Sequence, residues 1–217
     1  MAGESYERAY GTMVCVQMLA ELEEVIQYKL IPERRENIKQ MWWKRLRGGQ
    51  RLVEDWQKII QVHSLVVTPQ EDVHTWLKYA SLCRKSKQLK LSNKTLVMLL
   101  GSDPSENLEQ DLPYVQPFVT FAYTKHLWMD GKEQLAYDKL TRFVTTFNNI
   151  IQRSSQTSPS TAQDANNRLL ARCNMKLGLW QNKLQGLNEQ SINSILSYYE
   201  AATKHDKSKH FFELLTG

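Results

Sequence analysis

Apolar residues recur every three or four positions along nearly the whole chain, the spacing that places them on one face of an α-helix. Alternating strand-like runs are few, and the one short β-branched cluster is Leu65-Val66-Val67. The pattern therefore predicts an all-α protein. It places a first helix at about residues 4–30 and opens a second at Pro32, because proline is tolerated in the first turn of a helix. These two helices are expected to form an antiparallel hairpin.

The second helix carries one apolar stripe that steps by four and three residues. Its members are Trp42, Leu46, Gly49, Val53, Trp56, Ile60 and His63. Trp42 and Trp56 are thus predicted to be core residues, whereas Trp43 lies about 100° further around the helix, at the edge of the stripe. Gly48-Gly49 weakens this helix by about 1 kcal/mol per glycine relative to alanine, or else marks close packing or a bend.

Residues 76–104 contain a more specific pattern, in which two short helices pack face to face across a basic turn. The segment resembles a tetratricopeptide repeat, which ends here at Pro104. The inner faces of its two helices are predicted to carry Trp76, Tyr79, Ala80 and Cys83, followed by Ser92, Leu96 and Leu99.

Two further units repeat this logic less regularly. The second turns at Gly131, and its core is predicted to contain Tyr123, Leu127, Ala136, Leu140 and Phe143. The third begins at Leu169, and its core is predicted to contain Leu177, Trp180, Ile195, Tyr198 and Ala201. Because hairpins in series bury their apolar faces against one another, we predict a TPR-like or HEAT-like α-solenoid of antiparallel helical hairpins.

The predicted solenoid divides into four segments. They are a long hairpin at 1–66, a TPR-like repeat with an acidic loop at 67–112, a second repeat with a Ser/Thr-rich loop at 113–162, and a third, degenerate repeat with a divergent tail at 163–217. The acidic insertion at 102–113 and the polar insertion at 153–166 are expected to be exposed and mobile. Ser158-Pro159 in the second insertion matches the preference of proline-directed kinases.

Composition and charge narrow the classes of function. The chain of 217 residues is 41% hydrophobic, and its net charge of +5 comes from 28 basic and 23 acidic residues mixed along the sequence, so a dedicated nucleic-acid binder is not expected. Cys15, Cys83 and Cys173 lie far apart, which favours reduced, buried thiols over disulfides or a zinc site. The N-terminus lacks an apolar signal region and no segment is long enough to span a membrane, so we expect a cytoplasmic protein.

The sequence predicts no catalytic, cofactor-binding or metal-binding residues. The sequence contains no G-x-S-x-G elbow, no glycine-rich phosphate loop with its lysine and no H-E-x-x-H pair. Carboxylate pairs such as Glu23-Glu24 sit on helices and are read as solvated faces.

A basic stretch at residues 29–51 has a net charge of +6. It yields the candidate interface residues Trp43, Lys44, Arg45 and Arg47. These cations either face solvent or a partner protein, which we favour, or attract a polyanion. The basic turn at residues 84–94 has the same two interpretations, a solvated turn first and an acidic partner second.

Long blocks at residues 4–59, 64–105, 170–192 and 198–206 closely resemble the FAT region of target-of-rapamycin (TOR) kinases, among them ERRENIKQMWWKRLRGGQRLVEDWQKI and LARCNMKLGLWQNKLQGLNEQSI. The resemblance thins in the two insertions and fails at SKHFFELLTG, where the family has a tryptophan-rich helix.

The resemblance implies a segment of a helical clamp that holds and restrains a serine/threonine protein kinase coupling nutrients to cell growth. Its implied partners are the parent's own kinase domain, neighbouring helical repeats and TOR-complex subunits. ATP and magnesium are implied for the parent kinase and not for this chain. The implied locations are the cytoplasm, lysosomal or endomembrane surfaces and the nucleus.

Two alternatives to the regulatory fragment stay open: a stand-alone TPR-like adaptor that binds peptides, and a kinase-less isoform. Whether the protein is an enzyme is left undecided, because the implied chemistry belongs to the parent kinase.

Overall fold

The computed structural model describes residues 2–105, 111–154, 161–186 and 188–205. Within these residues the secondary structure is entirely helical. The helices are α1 (Ala2–Leu30), α2 (Arg35–Gly48), α3 (Val53–His63), α4 (Val73–Lys85), α5 (Leu89–Leu100), α6 (Pro117–Met129), α7 (Glu133–Ser154), α8 (Thr161–Gln185) and α9 (Glu189–His205). The all-α prediction is confirmed.

The helices group into two compact units, Met1–Leu99 and Leu100–Gly217. In unit 1, α1 packs against both α2 and α3, α3 packs against α4, and Ser92 of α5 donates to the carbonyl of Ala80 on α4. In unit 2, α6, α7, α8 and α9 pack in series, as a solenoid-like array of hairpins requires. The finer four-segment division stays a prediction.

In unit 1, α1 and α2 form the predicted antiparallel hairpin. A short 3-10 helix at Pro32–Arg34 turns the chain, and Arg35 at the start of α2 donates to the carbonyl of Tyr28 near the end of α1. Further along, the amide of Gln50 donates to the hydroxyl of Tyr10 at 2.8 Å. The two helices therefore run side by side in opposite directions.

The prediction of one continuous second helix is wrong. The helix stops at Gly48, because Gly49 is extended with ψ 173°, and α3 begins only at Val53. Leu46 and Val53 nevertheless belong to the same core cluster, together with Val14 of α1. The apolar stripe continues across the break because the residues on both of its sides pack into one core.

Among the described residues, two hydrophobic clusters contribute to the core of unit 1. The first joins α1 to α4 through Val14, Leu46, Val53, Trp56, Ile59, Ile60, Tyr79 and Cys83. The second surrounds Trp42 with Val25, Ile38, Val62 and Val67. Of the predicted core residues here, Trp42, Trp56, Tyr79, Ala80 and Leu96 are buried. Trp76 is half-buried and packs on the edge of the first cluster.

In unit 2, the turn between α6 and α7 contains the glycine that the sequence places there. Gly131 adopts φ 83°, a left-handed conformation that favours glycine, in the predicted turn between α6 and α7. Of the predicted core residues here, Tyr123, Ala136 and Trp180 are buried, and Trp180 stacks on Trp128 with ring centroids 4.4 Å apart. Tyr198 is half-buried, and its hydroxyl lies 3.0 Å from that of Tyr137 on α7.

The paired helices α8 and α9 approach each other through small residues. Ala171 and Ala202 are both fully buried in one cluster, and the face of Gly178 lies against the ring of Tyr199. Ala202, rather than the predicted Ala201, is the fully buried alanine of α9, while Ala201 is partly exposed. Small side chains here allow close backbone packing.

The loop predictions are partly wrong. Residues 161–166 form the first turns of α8, and residues 153–154 end α7, so the polar insertion is shorter than expected. In the acidic insertion, Leu112 is 5% exposed and anchors the segment that leads to α6. Residues 106–110 of the acidic insertion, residues 155–160 of the polar insertion, with Ser158-Pro159, and the tail from residue 206 onward lie outside the described residues.

One prediction about the cysteines also fails. Cys83 and Cys173 are buried free thiols, but Cys15 is exposed, because its position on α1 faces away from the core. Burial raises the pKa of both buried thiols above the ordinary value.

Candidate functional site: a cationic cleft in unit 1

A cleft of about 290 Å³ opens between α2, α3 and α4, and we call it the cationic cleft. Its lining residues are Trp43, Arg47, Arg51, Trp56, Lys78, Ser81, Leu82 and Lys85. Four of these eight residues are cations and none is acidic. Two tryptophans and a leucine supply the apolar part of the wall.

Helical spacing explains why these side chains meet. Trp43 and Arg47 are four residues apart and share one face of α2. Lys78, Ser81, Leu82 and Lys85 are spaced i, i+3, i+4 and i+7, which aligns them on one face of α4. Arg51 lies in the extended connection between α2 and α3 and closes the end of the cleft.

Trp43 also contacts α4 through His74, whose ring meets it edge to face with centroids 4.1 Å apart. Burial lowers the pKa of His74 below 6.5, and the positive charge of Lys78 lowers it further, while Asp72 partly opposes both. Burial and Lys78 therefore both favour the neutral imidazole. Trp43 is half-buried in this position, which fixes its ring as a wall of the cleft.

Arg45 is turned away from the cleft and toward α1. Its two terminal nitrogens donate to the two carboxylate oxygens of Glu24 at 2.7 and 2.8 Å, and the indole of Trp42 donates to the same carboxylate at 2.7 Å. Burial acts to raise the pKa of Glu24, but the hydrogen bonds from Arg45 and Trp42 outweigh it and hold the pKa below 4.5.

The four candidate interface residues thus separate into three groups. Trp43 and Arg47 line the cleft. Lys44 is exposed and is not among the lining residues. Arg45 pairs with Glu24 inside the hairpin, so its charge is neutralised there.

The sequence did not lead us to predict Trp56, Lys78, Ser81 and Leu82 as residues of this site. It assigned Trp56 to the core alone, although the side chain is both 7% exposed and part of the cleft wall. The spacing of Lys78, Ser81, Leu82 and Lys85 was a readable signal, since it marks a second face of α4 beside the buried face of Tyr79, Ala80 and Cys83.

The arrangement is suited to binding an anion. Four cations around apolar walls create a positive potential that attracts an anion, and the absence of acidic lining residues leaves that potential uncompensated locally. In the described ranges no group of three or more His, Cys, Asp or Glu side chains is placed to hold a metal ion. None of the helices in those ranges has the length and apolar character needed to cross a membrane.

Comparison with known proteins adds independent information. The profile of the FAT domain family matches residues 1–211. The chain is 62% identical, over 95% of its length, to serine/threonine-protein kinase mTor of Drosophila melanogaster. It is 42% identical over 92% of its length to serine/threonine-protein kinase TOR of Arabidopsis thaliana, and 39% identical over 95% to serine/threonine-protein kinase tor1 of Schizosaccharomyces pombe. The chain spans 8% to 9% of the length of these curated relatives.

Proposed function

The chain belongs to the FAT domain family, and from this premise we propose that it is a non-catalytic scaffold region of a TOR-type serine/threonine protein kinase. The observation that carries the proposal is the 62% identity to the Drosophila kinase across 95% of the chain, at only 8% of that kinase's length. Because the matched region is a small share of the relative's length, we expect it to form one part of such a kinase's fold.

The scaffold role comprises holding the kinase domain of the parent in a restrained state and presenting surfaces to neighbouring helical repeats and TOR-complex subunits. Helix α1 supports this role, since it keeps Val16, Leu19, Ile26 and Leu30 between 58% and 74% exposed along its length. A row of exposed apolar side chains of this kind is typical of a surface that meets another protein segment.

The catalytic parts belong to the rest of the parent in this proposal. ATP and magnesium are bound by the parent's kinase domain, and the chain itself takes no cofactor. The proposed locations are those of a TOR kinase, namely the cytoplasm, lysosomal or endomembrane surfaces and the nucleus.

A chimera tests the scaffold role. The matched segment of the full-length Drosophila kinase is replaced by this chain, and the purified chimera is assayed for protein phosphorylation and for thermal stability. We expect a folded kinase with restrained basal activity, and a higher basal activity when Leu19 on the exposed face of α1 is changed to aspartate. Glu23→Gln, on the same helix, is the matched control and is expected to leave the activity unchanged.

Two results would contradict the scaffold role. One is a folded chimera in which Leu19→Asp and Glu23→Gln both leave the basal activity unchanged. The other is an isolated chain that is a stable monomer and binds peptides without any kinase, which would favour the adaptor.

A second proposal concerns the cationic cleft, which we propose binds a multiply charged anionic group of a ligand or partner. The observation that favours it is the set of four cations with no acidic residue in the lining. Because the attraction is electrostatic, affinity is expected to fall as salt is raised.

Pyrophosphate serves as the probe for this second proposal, with binding to the chain measured by calorimetry at two salt concentrations. Lys78→Gln and Arg47→Gln are expected to weaken binding. Lys44→Gln removes an equal charge from an exposed position outside the lining and is the matched control. Equal weakening by all three substitutions would show general charge attraction and would refute a specific cleft site.

A further inference from the structure

Unit 1 contains a second, chemically different pocket, which we call the apolar pocket. It has a volume of about 250 Å³ and lies among α3, α4 and α5. Its lining residues are Gln57, Ile60, Gln61, Trp76, Tyr79, Leu91, Lys94, Thr95 and Met98. The cationic cleft and this pocket share no lining residue.

The floor of the apolar pocket is part of the protein core. Ile60, Tyr79 and Thr95 are each no more than 4% exposed, so the floor is fixed by packing. Trp76, Leu91 and Met98 are half-buried and form the walls. On α5 the spacing of Leu91, Lys94, Thr95 and Met98 by three, one and three residues turns one helix face toward the opening.

Besides the indole of Trp76, five of the nine lining residues carry a polar side-chain group, and Lys94 is the one among them that is charged. The hydroxyl of Thr95 donates to the carbonyl of Leu91 at 2.9 Å within its own helix, so its proton is already used. Lys94 is exposed at the rim and, among the described residues, forms no salt bridge. It is also the only ionisable side chain in the lining besides the buried phenol of Tyr79.

The size of the pocket limits the apolar part of a ligand to about one ring or one branched alkyl group. An engineered apolar cavity of about 150 Å³ holds benzene, so 250 Å³ holds a ring together with a short chain. A larger ligand would have to extend past the rim, where Gln57, Gln61 and Lys94 are exposed.

We propose that the apolar pocket binds a small apolar monocarboxylate. The ring or branched alkyl group lies between Trp76, Leu91 and Met98, and the carboxylate lies at the rim beside Lys94. Free amino acids are excluded from this class, because the lining contains no carboxylate to pair with an ammonium group.

Three probes of similar size test this assignment on the full chain. They are 4-phenylbutyrate, its alcohol 4-phenyl-1-butanol, and phenylalanine, each titrated into the ¹⁵N-labelled protein. The signal of the Trp76 indole N–H is identified by its loss in Trp76→Phe. We expect 4-phenylbutyrate to shift this signal saturably, the alcohol to bind more weakly, and phenylalanine to bind most weakly.

Variants separate the charge from the cavity. Lys94→Gln is expected to weaken the binding of 4-phenylbutyrate about two- to fivefold, the range of an exposed ion pair, and to leave the alcohol unaffected. Lys85→Gln removes an equal charge from the lining of the cationic cleft and is expected to change neither affinity. Met98→Trp fills the pocket and is expected to abolish binding of both probes, with circular dichroism as the check that the helices remain.

The proposal is overturned if the Trp76 signal does not respond at saturating 4-phenylbutyrate, or if the carboxylate and the alcohol bind equally well to the unmodified chain. It is also overturned if Lys94→Gln and Lys85→Gln weaken binding to the same extent. Because no measurement here involves a kinase, the result is independent of the proposed scaffold role.

Discussion

His63 Nε2 lies 2.8 Å from Oε2 of Glu21, and both side chains are buried within unit 1. The contact ties α3 to α1 across 42 residues of sequence. Trp42 covers it, with its ring stacked on the His63 imidazole at a centroid distance of 4.2 Å and an angle of 4°. A polar pair therefore lies at the centre of the three-helix contact, beneath an aromatic ring.

Removing one partner of this pair is expected to cost more than removing both. In His63→Leu the buried carboxylate of Glu21 keeps Gln17 and Arg45 but loses its imidazole partner, which is expected to lower the free energy of unfolding by about 1–3 kcal/mol. The double variant Glu21→Leu/His63→Leu is expected to recover part of that loss, since neither polar group of the pair is left buried without the other. Urea unfolding of both single variants and the double variant measures the coupling, and strictly additive losses would contradict it.

The adjacent tryptophans are expected to differ in their contribution to stability. Trp42 is 3% exposed and bonded to Glu24, so Trp42→Ala is expected to cost about 3–5 kcal/mol. Trp43 is half-buried at the wall of the cationic cleft, so Trp43→Ala is expected to cost clearly less. Denaturant melts measure both values. Equal losses would mean that Trp43 belongs to the core and not to the cleft.

Acid is expected to remove the stability that Glu24 contributes. The folded state holds the pKa of Glu24 below 4.5, so on acidification the unfolded chain takes up the proton first. The contribution is therefore fully present above pH 4.5 and is lost as the pH falls through the lower folded-state pKa. Glu24→Gln is expected to lower stability by about 1.5–3 kcal/mol at neutral pH, and this difference is expected to shrink in acid.

Urea melts from neutral pH down to pH 3 test this, with Glu23→Gln as the matched control. Glu23 is the neighbouring carboxylate on α1, is exposed, and accepts one long hydrogen bond of 3.5 Å from Gln27. The control is expected to follow the unmodified protein at every pH. A Glu24→Gln difference that stays constant with pH would refute the assignment.

Gly178 is expected to reveal how tightly α8 and α9 pack. Alanine in a helix normally stabilises by about 1 kcal/mol relative to glycine, but a Cβ at this position would lie 3.1 Å from Cζ of Tyr199. Gly178→Ala is therefore expected to destabilise the protein, and to stabilise it by about 1 kcal/mol in a Tyr199→Ala background. Thermal melts of the four proteins measure this cycle. The same gain in both backgrounds would show that the Tyr199 ring moves freely.

Sequence periodicity predicted which faces are buried more reliably than it predicted where helices end. Six of the seven positions of the stripe from Trp42 to His63 are buried, all except Gly49, yet the backbone between Gly49 and Leu52 is not helical. Periodicity records which residues face the core, and α2 and α3 contribute to the same core, so the pattern passes through the break. The glycine pair at residues 48 and 49 carried the missing signal, because a helix interior disfavours glycine.

The cationic cleft was harder to predict, because its charges meet only through tertiary packing. Arg47 and Lys78 are far apart in sequence and lie on different helices, and nothing local distinguishes them from solvated cations. The pairing of Arg45 could not be predicted from neighbouring residues either, since its partner Glu24 lies 21 residues earlier on the opposing helix. The net charge of a segment cannot tell a neutralised cation from one that faces a cleft.

Because the chain breaks between α2 and α3, two shorter helices pack against the single long helix α1. Helix α1 is 29 residues long, about 43 Å, and is contacted by both shorter helices. At this break, the hydroxyl oxygen of Tyr10 on α1 accepts a hydrogen bond from the backbone amide of Gln50, which links the connection to α1. Helix α1 therefore spans the four-residue break between α2 and α3 and holds both helices in one core.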